Sequence, residues 1–262
     1  MSKQDTFAER NRRILDELQR HGSLTVDEIV TLLHVSVATV RRDLEVLERE
    51  GRLRRTHGGA IPLEPLLYQA FRHDSSFQEQ VERHSAEKRR IALAAAALIE
   101  EGELIAVTPG TTAMQVTRNI PAHKSITVLT NTVNIPMELS QRPDVKVIVT
   151  GGSLRPGWFS LVGPHAASSV ADVVLDRLFI GVNGVDVRWG LTAWDEGEAQ
   201  TNAALLNRAR HRILVADHSK LGVAATHCFG KVSDLELLIT DSGASEKAIR
   251  PFVKAGVRVR RV

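Results

Sequence analysis

Apolar residues recur at helical spacing in three short runs near the start of the chain. Ile14, Leu15 and Leu18 mark the first, from Phe7 to Arg20, with Gly22 as its stop. Ile29, Leu32 and Leu33 mark the second, opened by Thr25 with Glu28 three residues on, the spacing of a capping box. A turn at His34 and Val35 leads to Ser36, expected to cap a third helix that reaches Glu50 and stops at Gly51. On a wheel of about 100° per residue, Val37, Val40, Leu44 and Leu47 fall within ~80° of one another, so that seam is expected to face a core. Ala38, Arg42, Glu45 and Arg49 project the other way, with Thr39 and Arg41 on the flanks. Residues 52–61 read as a short hairpin with a Gly-rich end.

Farther along, the rhythm changes to apolar β-rich runs separated by Ala/Leu-rich helical stretches. Strands are expected at Leu104–Val107, Ile126–Leu129, Val145–Val149, Leu178–Gly181, Ile213–Ala216, Leu235–Ile239 and Val257–Arg260. Helices are expected at Glu87–Glu100, Ala113–Asn119, Ile135–Gln141, Ala166–Val174, Glu196–Ala209 and Ala244–Lys254. That alternation predicts a mostly parallel α/β sheet with helices on both faces. Between the two styles, Pro62 and Pro65 interrupt any ladder and push their predecessors extended. The chain therefore divides into a helical domain at 1–60, a linker at 61–75 and an α/β domain at 76–262.

Composition narrows the classes. With 262 residues, 43% hydrophobic and 25% charged, the chain can bury two cores and is not of the disordered type. One cysteine, Cys228, excludes an internal disulfide framework and a multi-Cys zinc site, and neither metal nor cofactor is expected. The longest purely apolar run, Ile91–Ile99, is too short to span a bilayer. The first residues lack the apolar segment of a secretory signal, so a soluble cytoplasmic protein is expected. Net charge is only +3, and Met1–Ile61 carries 10 acidic against 11 basic residues. Bulk charge does not argue for nucleic acid, but the arrangement does.

Three short helices, a tight turn before the third and a basic hairpin after it describe a winged helix-turn-helix. The candidate contacts to double-stranded DNA are Ser36, Val37, Ala38, Thr39, Arg41 and Arg42 on the third helix. On the wing they are Arg54, Arg55 and His57. Arginine can pair bidentately with guanine, Ala and Thr methyls can touch thymine, and wing cations suit phosphates.

The stretch Val35-Ser-Val-Ala-Thr-Val-Arg-Arg-Asp-Leu, followed by Leu53-Arg-Arg-Thr-His-Gly-Gly-Ala, closely resembles the DeoR family of bacterial transcriptional regulators. The remainder is similar to that family's sensor domain, which is related to ribose-5-phosphate isomerases. The resemblance implies a regulator, expected to repress a sugar-utilisation operon, to respond to a phosphorylated sugar and to work as a homo-oligomer, dimer or tetramer.

The strand ends independently suggest a site, because ligands in open α/β sheets bind beyond the carboxyl ends of the strands. Thr108-Pro-Gly-Thr-Thr opens a helix whose free N–H groups and two hydroxyls suit an anion. Other ends carry Thr130-Asn131, Thr150-Gly151-Gly152 followed by Arg155, Gly181-Val-Asn-Gly, and Asp217 through Lys220. By the resemblance, Gly110, Thr111, Thr112, Asn131, Gly151, Gly152 and Lys220 fall on effector positions, and Glu198 matches the acidic helix start. Arg155 joins them as a candidate. The family commonly has Asp where Thr108 stands, so a changed hydroxyl preference is expected. Trp158 and Trp194 could pack on a sugar face or in loop cores. A rival reading, a sugar-phosphate isomerase with an accessory helical domain, would use Glu198, Asp195 and Lys220 for proton transfer and enediolate stabilisation. A helical adaptor is a third.

Overall fold

The computed structural model describes residues 6–262 apart from 22, 51, 57, 63–74, 123 and 156. The expected stops at Gly22 and Gly51, the wing position His57 and most of the 61–75 linker lie outside the described residues. By its contacts the chain divides into two units, Met1–His73 and Asp74–Val262.

The first unit contains α1 (Phe7–His21), β1 (Leu24–Thr25), α2 (Val26–Leu33), α3 (Val37–Arg49), β2 (Leu53–Thr56) and β3 (Gly59–Pro62). Thr25 accepts from the Glu28 N–H at 3.2 Å, while the Glu28 carboxylate takes the Thr25 N–H at 2.7 Å. The anticipated capping box therefore starts α2. His34 ends it in the left-handed region, φ 55°, and Ser36 caps α3. Ile14, Leu18, Ile29, Leu33, Val40, Leu44 and Leu47 form one core with Leu53 and Ala60.

Two features differ from expectation. Val37 is 41% exposed and not part of the core seam. A wheel gives azimuth but not height, and Val37 is the first residue of α3, where the helix has only just begun. Leu24–Thr25, which the sequence pattern leaves without an assigned strand, pairs as β1 antiparallel with β3, giving the order β1-β3-β2. Gly59 permits that crossing, since a Cβ there would lie 2.0 Å from the Leu24 carbonyl oxygen.

The second unit begins with α4 (Ser75–Glu82) and α5 (Ser85–Ala96). Then come β4 (Leu104–Val107), α6 (Thr111–Arg118), β5 (Ile126–Thr130), α7 (Asn134–Leu139) and β6 (Val145–Val149). After β7 (Ser153–Leu154), β8 (Leu161–Val162) and α8 (Pro164–Ser168) follow β9 (Leu175–Ile180), β10 (Gly184–Asp186), β11 (Gly190–Ala193) and α9 (Glu196–Leu206). The chain closes with β12 (Ala209–Val215), β13 (His227–Gly230), β14 (Leu237–Thr240), α10 (Glu246–Lys254) and β15 (Arg258–Arg261).

Among the described residues a seven-stranded sheet runs in the order β15-β14-β12-β9-β4-β5-β6, with each neighbouring pair parallel. Strand alternation divides its side chains between two cores. Ile105, Val107, Phe179, Ile213 and Val215 join the residues of α5, α6 and α7 on one face. Ala106, Leu178, Ile180 and Leu214 join those of α9 and α10 on the other.

The helix expected at 166–174 stops at Ser168. The Ser169 hydroxyl donates to the Ala166 carbonyl at 2.8 Å, a local bond that competes with helix continuation. The expected helix at 196–209 likewise ends at Leu206, because Ala209 pairs with Leu175 at the start of β12. The short antiparallel pairs β7/β8 and β10/β11/β13 were not anticipated.

Candidate functional site

The order of the main sheet reverses beside β4. From there the chain builds outward through β5 and β6, then returns to the opposite side through β9 and β12. The loops after β4 and β9 therefore diverge and leave a crevice at their carboxyl ends. A cavity of about 200 Å³ occupies it, lined by Gly110, Thr111 and Thr112 after β4, Gly181 and Asn183 after β9, and Ala216 and Lys220 after β12.

The crevice depends on close backbone approach. A Cβ on Gly181 would lie 2.7 Å from the Pro109 carbonyl oxygen. Thr108 is fully buried, and its hydroxyl accepts the Gly181 N–H at 2.8 Å. It thus ties β4 to β9 and is not among the cavity's lining residues. At this position the chain has a neutral strut. Gly110, φ 134°, opens α6 without a side-chain cap, leaving first-turn N–H groups to serve a ligand.

Cations gather at the same end. Burial lowers the pKa of Lys220, with Asp217 opposing and Arg83 adding to the shift. Lys88, which the sequence reading missed, is 2% exposed and donates to the Gln80 carbonyl. Burial brings its pKa down to about 8, against the attraction of Asp217 and with Lys220 and Arg83 reinforcing the fall. The sequence offers no sign of this, since Glu87-Lys-Arg-Arg reads as a solvated charge run. Asn183 lines the cavity, and its Oδ1 accepts the main-chain N–H of Trp194 at 3.0 Å. Trp158 and Trp194 also line it.

The remaining candidates stand elsewhere. Asn131 is fully buried, its Nδ2 donating to the Leu161 carbonyl at 3.2 Å while its main-chain carbonyl accepts the Leu161 N–H. Gly151 and Gly152 form an exposed turn, and at Gly152 (φ 124°) a Cβ would lie 2.8 Å from the Val162 carbonyl oxygen. Arg155 binds Glu198 at 2.7 Å and approaches Asp195 at 3.4 Å, with its guanidinium 5.4 Å from the Trp158 ring centre. Burial raises the Glu198 pKa to about 7 despite the Arg155 charge, and Asp195 pushes it the same way. Arg155 and Glu198 therefore form an ion pair linked to the cavity through Trp158, and neither is among its lining residues.

On the first unit, Ser36 Oγ accepts the Thr39 N–H at 3.2 Å, so its hydroxyl serves the cap. Ala38, Thr39 and Arg42 line a second cavity of about 280 Å³ together with Phe7 and Arg10 of α1. Arg41 and Arg42 are exposed. Arg54 and Arg55, adjacent on β2, point to opposite faces. The Arg55 N–H donates to Glu48 at 2.9 Å, and its Nε lies 3.8 Å from that carboxylate. Among the described residues, no cluster of His, Cys, Asp and Glu could hold a metal, and no helix is long and apolar enough to cross a membrane.

One chain that carries a winged helix-turn-helix and a separate parallel-sheet unit with a ligand-sized cavity has the make-up of a DNA-binding transcriptional regulator. The chain matches the DeoR-like helix-turn-helix domain over residues 10–65 and the DeoR C terminal sensor domain over residues 83–242. It belongs to the DeoR family. The HTH-type transcriptional regulator GlpR of Haloferax volcanii is 36% identical over 252 residues, covering 96% of each chain. The glycerol-3-phosphate regulon repressor of Haemophilus influenzae is 30% identical over 231 residues, covering 88% of each. The structure of ribose 5-phosphate isomerase A from Methanocaldococcus jannaschii superposes with a TM-score of 0.39 at 15% identity, covering 52% of this chain and 54% of that one. The protein is a regulator and not an isomerase, since relatives matching nearly the whole chain are regulators.

Proposed function

We propose that the protein represses a carbohydrate operon and releases its operator when a phosphorylated sugar enters the sensor cavity. The observation that carries this reading is the uncapped start of α6, Gly110-Thr111-Thr112, at the sheet's switch point with Lys220 beside it. Backbone N–H groups, two hydroxyls and a cation suit a phosphate, while Asn183 and Glu79 suit sugar hydroxyls. The names of the relatives support repression and a phosphorylated effector. Asn131, Gly151, Gly152, Arg155 and Glu198 would act by holding the surrounding loops.

Operator contacts are proposed for Ala38, Thr39, Arg41 and Arg42, with Ser36 and Val37 at the helix start. Arg54, Arg55 and His57 would meet the backbone. Symmetric operators favour an even-numbered homo-oligomer. A thermal-shift screen of the full chain against sugar phosphates tests the reading. A ligand at 100 times its Kd should stabilise by about 2.7 kcal/mol and lower operator affinity. Stabilisation without any change in operator binding would overturn it.

A further inference from the structure

The linker enters the sensor unit as α4, and that helix supplies part of the cavity wall through Glu79 and Gln80. The Gln80 main-chain carbonyl accepts from two donors: Lys88 Nζ on the first turn of α5, and Thr111 Oγ1 at the start of α6, 3.4 Å away. An ammonium has three N–H donors, and burying one is costly unless it is well paired. For Lys88, the hydrogen-bond acceptor found among the described residues is this one neutral carbonyl. The Asp217 carboxylate attracts it but takes its hydrogen bonds from Ser219.

We infer that Lys88, which reaches the lining residue Gln80 but is not itself among the residues lining the cavity, is an anion-binding residue of this site, and that the Gln80 carbonyl fills the place of a ligand oxygen, so that ligand binding and the seating of α4 compete for Lys88 and Thr111. The inference rests on reading the cavity as a phosphate site and adds how occupancy leaves it. A phosphate oxygen turns the neutral Thr111 bond into a charge-assisted one, roughly twice as strong, and adds to Lys88 an ion-pair attraction that a neutral carbonyl lacks, so the ligand wins the exchange. An eight-residue helix cannot stand alone in water, so α4 depends on contacts such as these to keep its place. The turn after it bends at His84, φ 54°, whose ring meets His218 edge-on with centroids 4.6 Å apart. That contact anchors α5 and its Lys88 while α4 is released. The freed element is continuous with residues 63–74, the covalent connection to the DNA-binding unit.

Hydrogen–deuterium exchange on the full-length chain tests this, with glycerol 3-phosphate, ribose 5-phosphate, glucose 6-phosphate and inorganic phosphate as probes. Slower exchange at residues 111–114 together with about tenfold faster exchange at 77–82 is the expected result. Slower exchange at 111–114 with α4 unchanged or protected would overturn the competition while leaving the phosphate site standing. No slowing at 111–114 with any probe would overturn both. Lys88→Met keeps the apolar stem and removes the ammonium. Probe affinity should fall about tenfold or more, the effect of one lost charge-assisted bond, and α4 should exchange faster without ligand. Unchanged affinity in a folded Lys88→Met protein would remove Lys88 from the site. If that variant fails to fold, the exchange pattern of the native chain still decides the competition.

Discussion

Arg10 of α1 and Asp43 of α3 meet in a two-pronged ion pair, Nε to Oδ2 at 2.7 Å and a terminal nitrogen to Oδ1 at 3.1 Å. Asp43 is only 2% exposed, so the acidic member of the Arg41-Arg42-Asp43 run is turned inward and neutralised, away from the surface offered to DNA phosphates. Arg10→Ala would strand a buried carboxylate. We expect it to destabilise the N-terminal unit by about 3 kcal/mol, read from its urea midpoint. A loss below about 0.5 kcal/mol would mean the pair behaves as an ordinary surface bridge.

Arg42 is exposed on α3 and contributes nothing to the core. Arg42→Ala should cost about 1–3 kcal/mol in binding the specific operator while leaving the melting curve intact. Native operator affinity in this variant would contradict the base-contact role.

The wing arginines should separate. Arg54→Ala should weaken binding to all DNA sequences and reduce the salt slope by about 1, as a phosphate contact does. Arg55 is already engaged by Glu48, so Arg55→Ala should have the smaller effect. Equal slopes for both variants would show that the Glu48 pair opens on DNA.

Lys220→Ala should leave operator binding intact without effector and abolish the effector response, because it removes one cation from the cavity of a separate unit. Parallel titrations with DNA and with sugar phosphate give the result. Linkage adds a second check, since operator DNA must weaken effector binding by the factor that effector weakens operator binding.

Glu198 predicts a pH effect. Its folded pKa, about 7, lies above the ordinary 4.5. Between these values the folded chain retains a proton that the unfolded chain has lost, so this group's contribution falls as pH rises through that window. Glu198→Gln cannot titrate, and its melting temperature should decline less than the native one from about pH 5 to about pH 7.5. Parallel profiles would show that Arg155 keeps the carboxylate ionised throughout.

Sequence signals that act within a few residues were readable. Thr25 with Glu28, and Ser36 before α3, announce helix starts because the bonds concerned span three positions. The parallel strands were readable because β-rich runs punctuated by helical patterns admit few architectures. What depends on distant neighbours was not. β8 is held against Asn131, and β13 pairs with β11, through contacts that no local pattern encodes. Lys88 illustrates the same point: it is buried with its ammonium on the Gln80 carbonyl, while its immediate neighbours in the chain suggest a wet surface. Thr108 is visible in the sequence only as a hydroxyl at a strand end, and the bond from the Gly181 N–H shows that the position braces two strands.

Trp158 and Trp194 both line the sensor cavity, whereas Trp189, the third tryptophan of the chain, stacks on Arg188 elsewhere. Two of the three indoles that dominate the protein's ultraviolet emission therefore border the same small space. The sensor unit carries a built-in optical probe, and a molecule seated against Thr111 and Lys220 should change its quantum yield without any attached dye.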